Sequence, residues 1–241
     1  PMSYSKFKNK KFYKEIFSVN SKVFKISDYP DKKLNLILPS EFLFKSLKPV
    51  LEKMFNSTLD NKKVVLIPNG GIDKDRAHMS YVYLEEFTTI NNMYLKQLDI
   101  DKWPKNMLIK AIDDSDVLSI SGGLISRLLN SIDKSGIREF LIRVISEGKP
   151  YVGFSAGAMC VSKTTNFAEK FIGENDPKVV NYKPLGIVDF ETYPHFEDAL
   201  LPSVRKLLPK QIKGFAMRPS DAIIVTNGEL LGAGNPIKIN F

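Results

Sequence analysis

The sequence predicts an α/β fold, a mostly parallel sheet covered by helices on both faces. Short runs rich in Val, Ile and Leu recur along the chain, and stretches with apolar residues at helical spacing follow them. Glycine-bearing turns close three of the runs: Pro68-Asn69-Gly70-Gly71, Gly122-Gly123 and Ser155-Ala156-Gly157. In sheets of this kind, sites gather at the C-terminal ends of the strands, where such turns let the backbone approach a ligand.

Taken in order, Leu34–Leu38 reads as a buried strand and Glu41–Met54 as a helix interrupted at Pro49. Val64–Ile67 is the next strand, followed by a helix over Ser80–Asn91, and Leu95–Leu98 the third strand. Pro104–Ala111 reads as a short helix, and Val117–Ile120 as a strand ended by Gly122-Gly123. Arg127–Ser146 makes one or two helices with a break near Gly136. Tyr151–Phe154 is a strand that runs straight into Ser155-Ala156-Gly157. Ile187–Thr192 and Ala222–Val225 complete the strands.

With 241 residues, 43% hydrophobic and 26% charged, the chain has the composition of a globular protein and not of a collagen-like or low-complexity one. A single cysteine, Cys160, allows no internal disulfide and suits a reducing cytoplasm. Two histidines and one cysteine do not make a zinc site of the Cys/His kind. No apolar run approaches the roughly 20 residues of a membrane span, and no apolar stretch of signal type follows the basic N-terminus. Pro1 before Met2 reads as a remnant of cloning.

The net charge of +8 raises the question of nucleic acid. Residues 1–33 hold nine lysines against three acids, so six of the eight charges sit there, interleaved with seven aromatics. That pattern can serve single-stranded nucleic acid, but no nucleic-acid module is present. The reading is therefore a basic, aromatic N-terminal extension (1–33) packed on one α/β domain (34–241), with nucleic acid not expected as a partner.

Gly153-Phe154-Ser155-Ala156-Gly157 matches G-x-S-x-G at the strand-to-helix junction of a nucleophile elbow. Small residues at 153 and 157 permit the strained turn that lifts the Ser155 hydroxyl from the sheet. The Ala156 amide then faces a developing oxyanion. A serine nucleophile needs a base. His195, in Tyr193-Pro194-His195-Phe196 after a strand, suits that role better than His78, which opens an amphipathic helix as a solvent-facing or capping residue. No His-Gly motif precedes the serine, and His195 follows it by 40 residues, which disfavours an α/β-hydrolase.

Ser121-Gly122-Gly123 with Arg127-Leu128-Leu129, Gly148-Lys149-Pro150-Tyr151-Val152-Gly153-Phe154-Ser155-Ala156-Gly157-Ala158, and Pro194-His195-Phe196 resemble the dipeptidase E (alpha-aspartyl dipeptidase) family of serine peptidases. Cyanophycinase belongs to the same wider group. The resemblance implies a three-layer α/β/α sandwich of class I glutamine amidotransferase type, with Ser155 where those enzymes carry a cysteine. It also implies hydrolysis of short peptides with an N-terminal aspartate, and no metal or organic cofactor. By motif match Ser155 is the nucleophile, His195 the general base, and Gly123 and Ala156 the oxyanion donors.

Two positions depart from that pattern. Leu124 stands where the family has an asparagine, and the place of the family's triad glutamate falls on Pro219. The nearest acid, Asp221, becomes the candidate third member, with Asp198 second; a surface turn ahead of a strand is the other reading of Asp221. A binding protein that has lost catalysis is the alternative function these departures motivate. A homodimer is compatible with the fold.

Overall fold

The computed structural model describes residues 21–41, 47–71, 87–88, 91–167, 171, 176–179 and 181–241. His78, residues 1–20 and most of the helix expected over Ser80–Asn91 lie outside them.

The large sheet is built from β1 (Val23–Asp28), β2 (Leu36–Pro39), β3 (Lys63–Ile67), β4 (Tyr94–Gln97), β5 (Val117–Ile120), β6 (Tyr151–Gly153), β9 (Ala222–Thr226) and β10 (Glu229–Ala233). Their order is β1-β10-β9-β2-β6-β5-β3-β4. From β2 to β4 every neighbour is parallel; β9, β10 and β1 add an antiparallel flank. A second sheet holds β7 (Glu191–Tyr193), β8 (Gly214–Ala216) and β11 (Ile237–Ile239) in the order β11-β8-β7.

Alternating side chains explain why the central strands are largely apolar along their whole length. In β2, Leu36 and Leu38 enter one core and Ile37 the other. In β3, Val65 and Ile67 join the first core while Val64 and Leu66 join the second. A strand buried on both faces has no polar side to show, so it reads as a continuous hydrophobic run.

The helices are α1 (Lys48–Phe55), α2 (Lys105–Asp113), α3 (Ile125–Ser135), α4 (Arg138–Ser146), α5 (Ala156–Cys160) and α6 (Leu201–Leu207). Leu108 and Ile112 of α2, Leu128 and Ile132 of α3 and Leu141 of α4 fill the first core, and Leu51 of α1 fills the second. Gly136 separates α3 from α4 by taking φ +70°, a left-handed cap that glycine adopts without strain. Pro49 does not interrupt a helix. It stands in the first turn of α1, where its missing N–H costs no hydrogen bond.

Two further expectations change. The strand over Ile187–Thr192 shortens to Glu191–Tyr193, because the amides of Ile187 and Val188 bond instead to the Val161 carbonyl just beyond α5. Within the segment read as an extension, Val23–Asp28 is part of the large sheet, paired antiparallel along β10. The described fold therefore has no boundary at residue 33.

No helix among the described residues is long and apolar enough to cross a membrane.

Candidate active site

Ser155 stands between β6 and α5 with φ 50° and ψ −107°, a conformation that L residues rarely adopt. Strain of this kind costs about 1–3 kcal/mol and persists only where surrounding packing imposes it. The two glycines of the pentapeptide show how. A Cβ on Gly157 would lie 2.2 Å from the Ile120 carbonyl oxygen, and one on Gly153 would lie 2.5 Å from that of Gly157. The Tyr151 hydroxyl donates to the Gly157 carbonyl at 2.6 Å, and the Ser155 amide to that of Pro39 at 3.3 Å. The elbow is thus clamped between β5, β6 and the end of β2.

His195 follows β7, also at positive φ (56°). Its Nε2 lies 2.7 Å from Ser155 Oγ. Its Nδ1 lies 2.8 Å from Glu41 Oε1. A carboxylate only accepts, so Nδ1 carries the proton and donates to Glu41, leaving Nε2 to accept from the serine hydroxyl. The backbone of His195 is fixed by Ser40, the residue before Glu41: the His195 amide donates to Ser40 Oγ at 2.9 Å, and that hydroxyl donates to the Met217 carbonyl at 3.2 Å. Glu41 is 9% exposed, and its Oε2 is buried with no hydrogen-bond partner among the described residues.

The acid on the imidazole is therefore Glu41 and not Asp221. The Asp221 carboxylate accepts from the amides of Arg218 (2.8 Å) and Asn235 (2.7 Å), pinning the turn ahead of β9 to the end of β10. Burial raises its pKa, against the lowering effect of those two amides. Asp198 pairs with Arg218 at 2.8 Å. The sequence pattern places Glu41 in the first turn of a helix, which hides it as a site residue, whereas the described helix starts at Lys48. The signal that marks it is its place, two residues past the end of a buried strand that neighbours the strand leading into Ser155.

Gly123 and Ala156 are the other two residues that the sequence singled out. Ala156 is the first residue of α5, so its amide has no intrahelical acceptor. Gly123 has φ +130° and packs so tightly on the Asn69–Gly71 turn that a Cβ there would lie 2.1 Å from the Gly70 carbonyl. Leu124 caps α3, its amide donating to the Gly70 carbonyl at 2.9 Å. A separate cavity of about 910 Å³ flanks α3, lined by residues that include Trp103, Lys105, Arg127, Lys134 and Asp176. Ser155, His195 and Glu41 are not among its lining residues. Arg127 there holds Asp176 at 3.1 Å.

The model of peptidase family S51 matches residues 38–231, most of the chain, a span that includes Glu41, Gly123, Ser155, Ala156 and His195. The chain belongs to peptidase family S51. It is 25% identical over 205 residues to Lin0382, an uncharacterized peptidase of Listeria innocua, covering 82% of this chain and 95% of that one. Peptidase E of Streptomyces coelicolor shares 33% identity over a shorter stretch of 90 residues, 36% of this chain and 35% of that protein. Among solved structures, a candidate Peptidase E of Listeria monocytogenes EGD-e superposes with a TM-score of 0.66 at 23% identity, covering 86% of this chain and 98% of that one. A peptidase from an acI-B1 actinobacterium gives 0.59 at 15% identity, over 82% and 85%. These structural likenesses show the fold, a mixed α/β sandwich around a mostly parallel sheet. The S51 chain is a serine peptidase.

Proposed function

We propose that this S51 peptidase cleaves short peptides through an acyl-enzyme on Ser155, with His195 as general base and Glu41 as the acid that holds the imidazole. The observation that carries the reading is the unbroken chain of contacts from Ser155 Oγ to Nε2 (2.7 Å) and from Nδ1 to Glu41 (2.8 Å). Ser155 Oγ attacks the scissile carbonyl carbon as its proton passes to Nε2. The imidazolium so formed lies against the Glu41 carboxylate. The Gly123 and Ala156 amides face the oxyanion of the tetrahedral intermediate. Collapse of the intermediate breaks the C–N bond, and the leaving amine takes the proton from Nε2. Water activated by the same nitrogen then releases the acyl group.

For substrate, the finer reading is a short peptide with an N-terminal aspartate, supported by the family resemblance. An intact serine–histidine–acid array speaks against a protein that only binds. The test is a fluorophosphonate probe followed by mass spectrometry, with hydrolysis of Asp-Leu and Ala-Leu measured beside it. Labelling should fall on Ser155 and vanish in His195→Ala. Labelling elsewhere, or hydrolysis undiminished in Ser155→Ala, overturns the mechanism; equal rates on the two dipeptides overturn the aspartyl preference alone.

A further inference from the structure

We infer that Asn69 is a positioning residue for the Gly123 amide, acting through the backbone of Gly70. The inference rests on the reading of Ser155 as a hydrolytic nucleophile with Gly123 as an oxyanion donor.

Asn69 opens the short turn Asn69–Gly71 after β3 and is fully buried. A buried carboxamide needs partners for both its ends, and the loop after β4 supplies them. Nδ2 donates to Asp99 Oδ1 and to Asp101 Oδ2, both at 3.1 Å, and Oδ1 accepts the Ile100 amide at 3.1 Å. Those acceptors are themselves anchored. The Asp101 amide donates to Asp99 Oδ1 at 3.2 Å, and Ser131 of α3 donates to Asp101 Oδ2 at 3.1 Å. Burial works to raise the Asp99 pKa, yet hydrogen bonds from Lys102 and Asn69 hold it below the ordinary value. Asn69 thus donates to a charged partner, which makes the bond stronger than one between neutral groups.

The next residue carries this anchor to the site. The Gly70 carbonyl accepts the Leu124 amide at 2.9 Å, directly after Gly123. A Cβ on Gly123 would lie 2.1 Å from both C and O of Gly70, and a Cβ on Gly70 would lie 2.8 Å from the Gly122 oxygen. Two backbones in such contact leave no slack between them, so a shift of the Asn69–Gly71 turn moves Gly123 with it. An oxyanion donor is sensitive to that shift, because it acts only when aimed at the place where charge develops.

The experiment measures inactivation by a fluorophosphonate probe, separating kinact from KI. In Asn69→Ala, kinact falls about tenfold or more, since a misplaced donor loses part of the roughly 10²–10³ that one donor supplies. KI stays within about twofold of the parent value, and far-ultraviolet circular dichroism is unchanged. A folded variant with unaltered kinact, or with its whole loss in KI, overturns the inference. Where Asn69→Ala does not fold, Asn69→Asp decides, because it keeps the volume and the acceptor for Ile100. Its introduced carboxyl repels Asp99 and Asp101 until protonated, so kinact relative to wild type rises as pH falls; a ratio independent of pH overturns the inference. Wild type unlabelled at Ser155 would instead sink the hydrolase reading.

Discussion

Glu41 and His195, 154 residues apart in the chain, meet at 2.8 Å between Oε1 and Nδ1. The contact joins the two sheets: Glu41 follows β2 of the large sheet and His195 follows β7 of the small one. Ser40 reinforces the junction by accepting the His195 amide at 2.9 Å. Two consecutive residues thus fix both the backbone and the ring of the histidine.

That junction separates two carboxylates by experiment. Glu41→Gln should lower the turnover number by about 10⁴-fold, because a carboxamide can present a donor to Nδ1 and favour the wrong tautomer. Asp221→Asn should leave the turnover number of folded protein within about threefold and cost about 1 kcal/mol of stability, since one of two part-buried amides loses its acceptor. Steady-state kinetics with urea unfolding checks both; the opposite pattern would return the acid's role to Asp221.

Strain at Ser155 gives a second expectation. Glycine adopts φ 50°, ψ −107° far more readily than serine. Ser155→Gly should therefore unfold at higher urea concentration than Ser155→Ala by about 1 kcal/mol, while both lack activity. Equal midpoints would mean that the elbow stores no strain.

Packing at the elbow gives a third. In Gly157→Ala the new methyl would lie 2.2 Å from the Ile120 carbonyl, a contact that only backbone movement can relieve. Gly186→Ala is the comparison, at φ +68° but with open space around the position. The first substitution should reduce Ser155 labelling at least about tenfold, and the second should cost stability of about 1 kcal/mol without that loss. Labelling rates and melting curves measured together distinguish them.

Cys160 supplies a pH test. Burial pushes its thiol from the ordinary 9.0 up to about 12. The folded chain holds this proton where the unfolded chain has lost it, so the stabilising contribution is complete below pH 9 and is lost as pH rises toward 12. Urea midpoints should fall more steeply between pH 9 and 10.5 in wild type than in Cys160→Ala. Alkylation of the native protein at pH 8.5 should proceed only as fast as the chain opens.

The parallel sheet is legible in the sequence alone, because strands buried on both faces read as hydrophobic runs, as Val64–Ile67 does throughout and Val117–Ile120 does apart from Ser119, whose hydroxyl donates to the Val152 carbonyl. The sequence also determined the elbow, since Gly153 and Gly157 are required by contacts among near neighbours in the chain and in the adjoining strand. Helix ends marked by Gly136 were legible for the same local reason. Only the tertiary structure decided the acid. Glu41 is marked in the sequence only by following a buried strand; its pairing with His195 depends on β2 lying beside β6 and on β7 entering from a second sheet. The strands β8 and β11 were likewise hidden, because their short segments acquire meaning through partners some twenty residues away or more, whereas β10 is the local hairpin partner of β9 across Asn227-Gly228. Asp221, nearer to the expected place, is held instead by the amides of Arg218 and Asn235, and the second of these contacts, from beyond β10, is read from three-dimensional proximity alone.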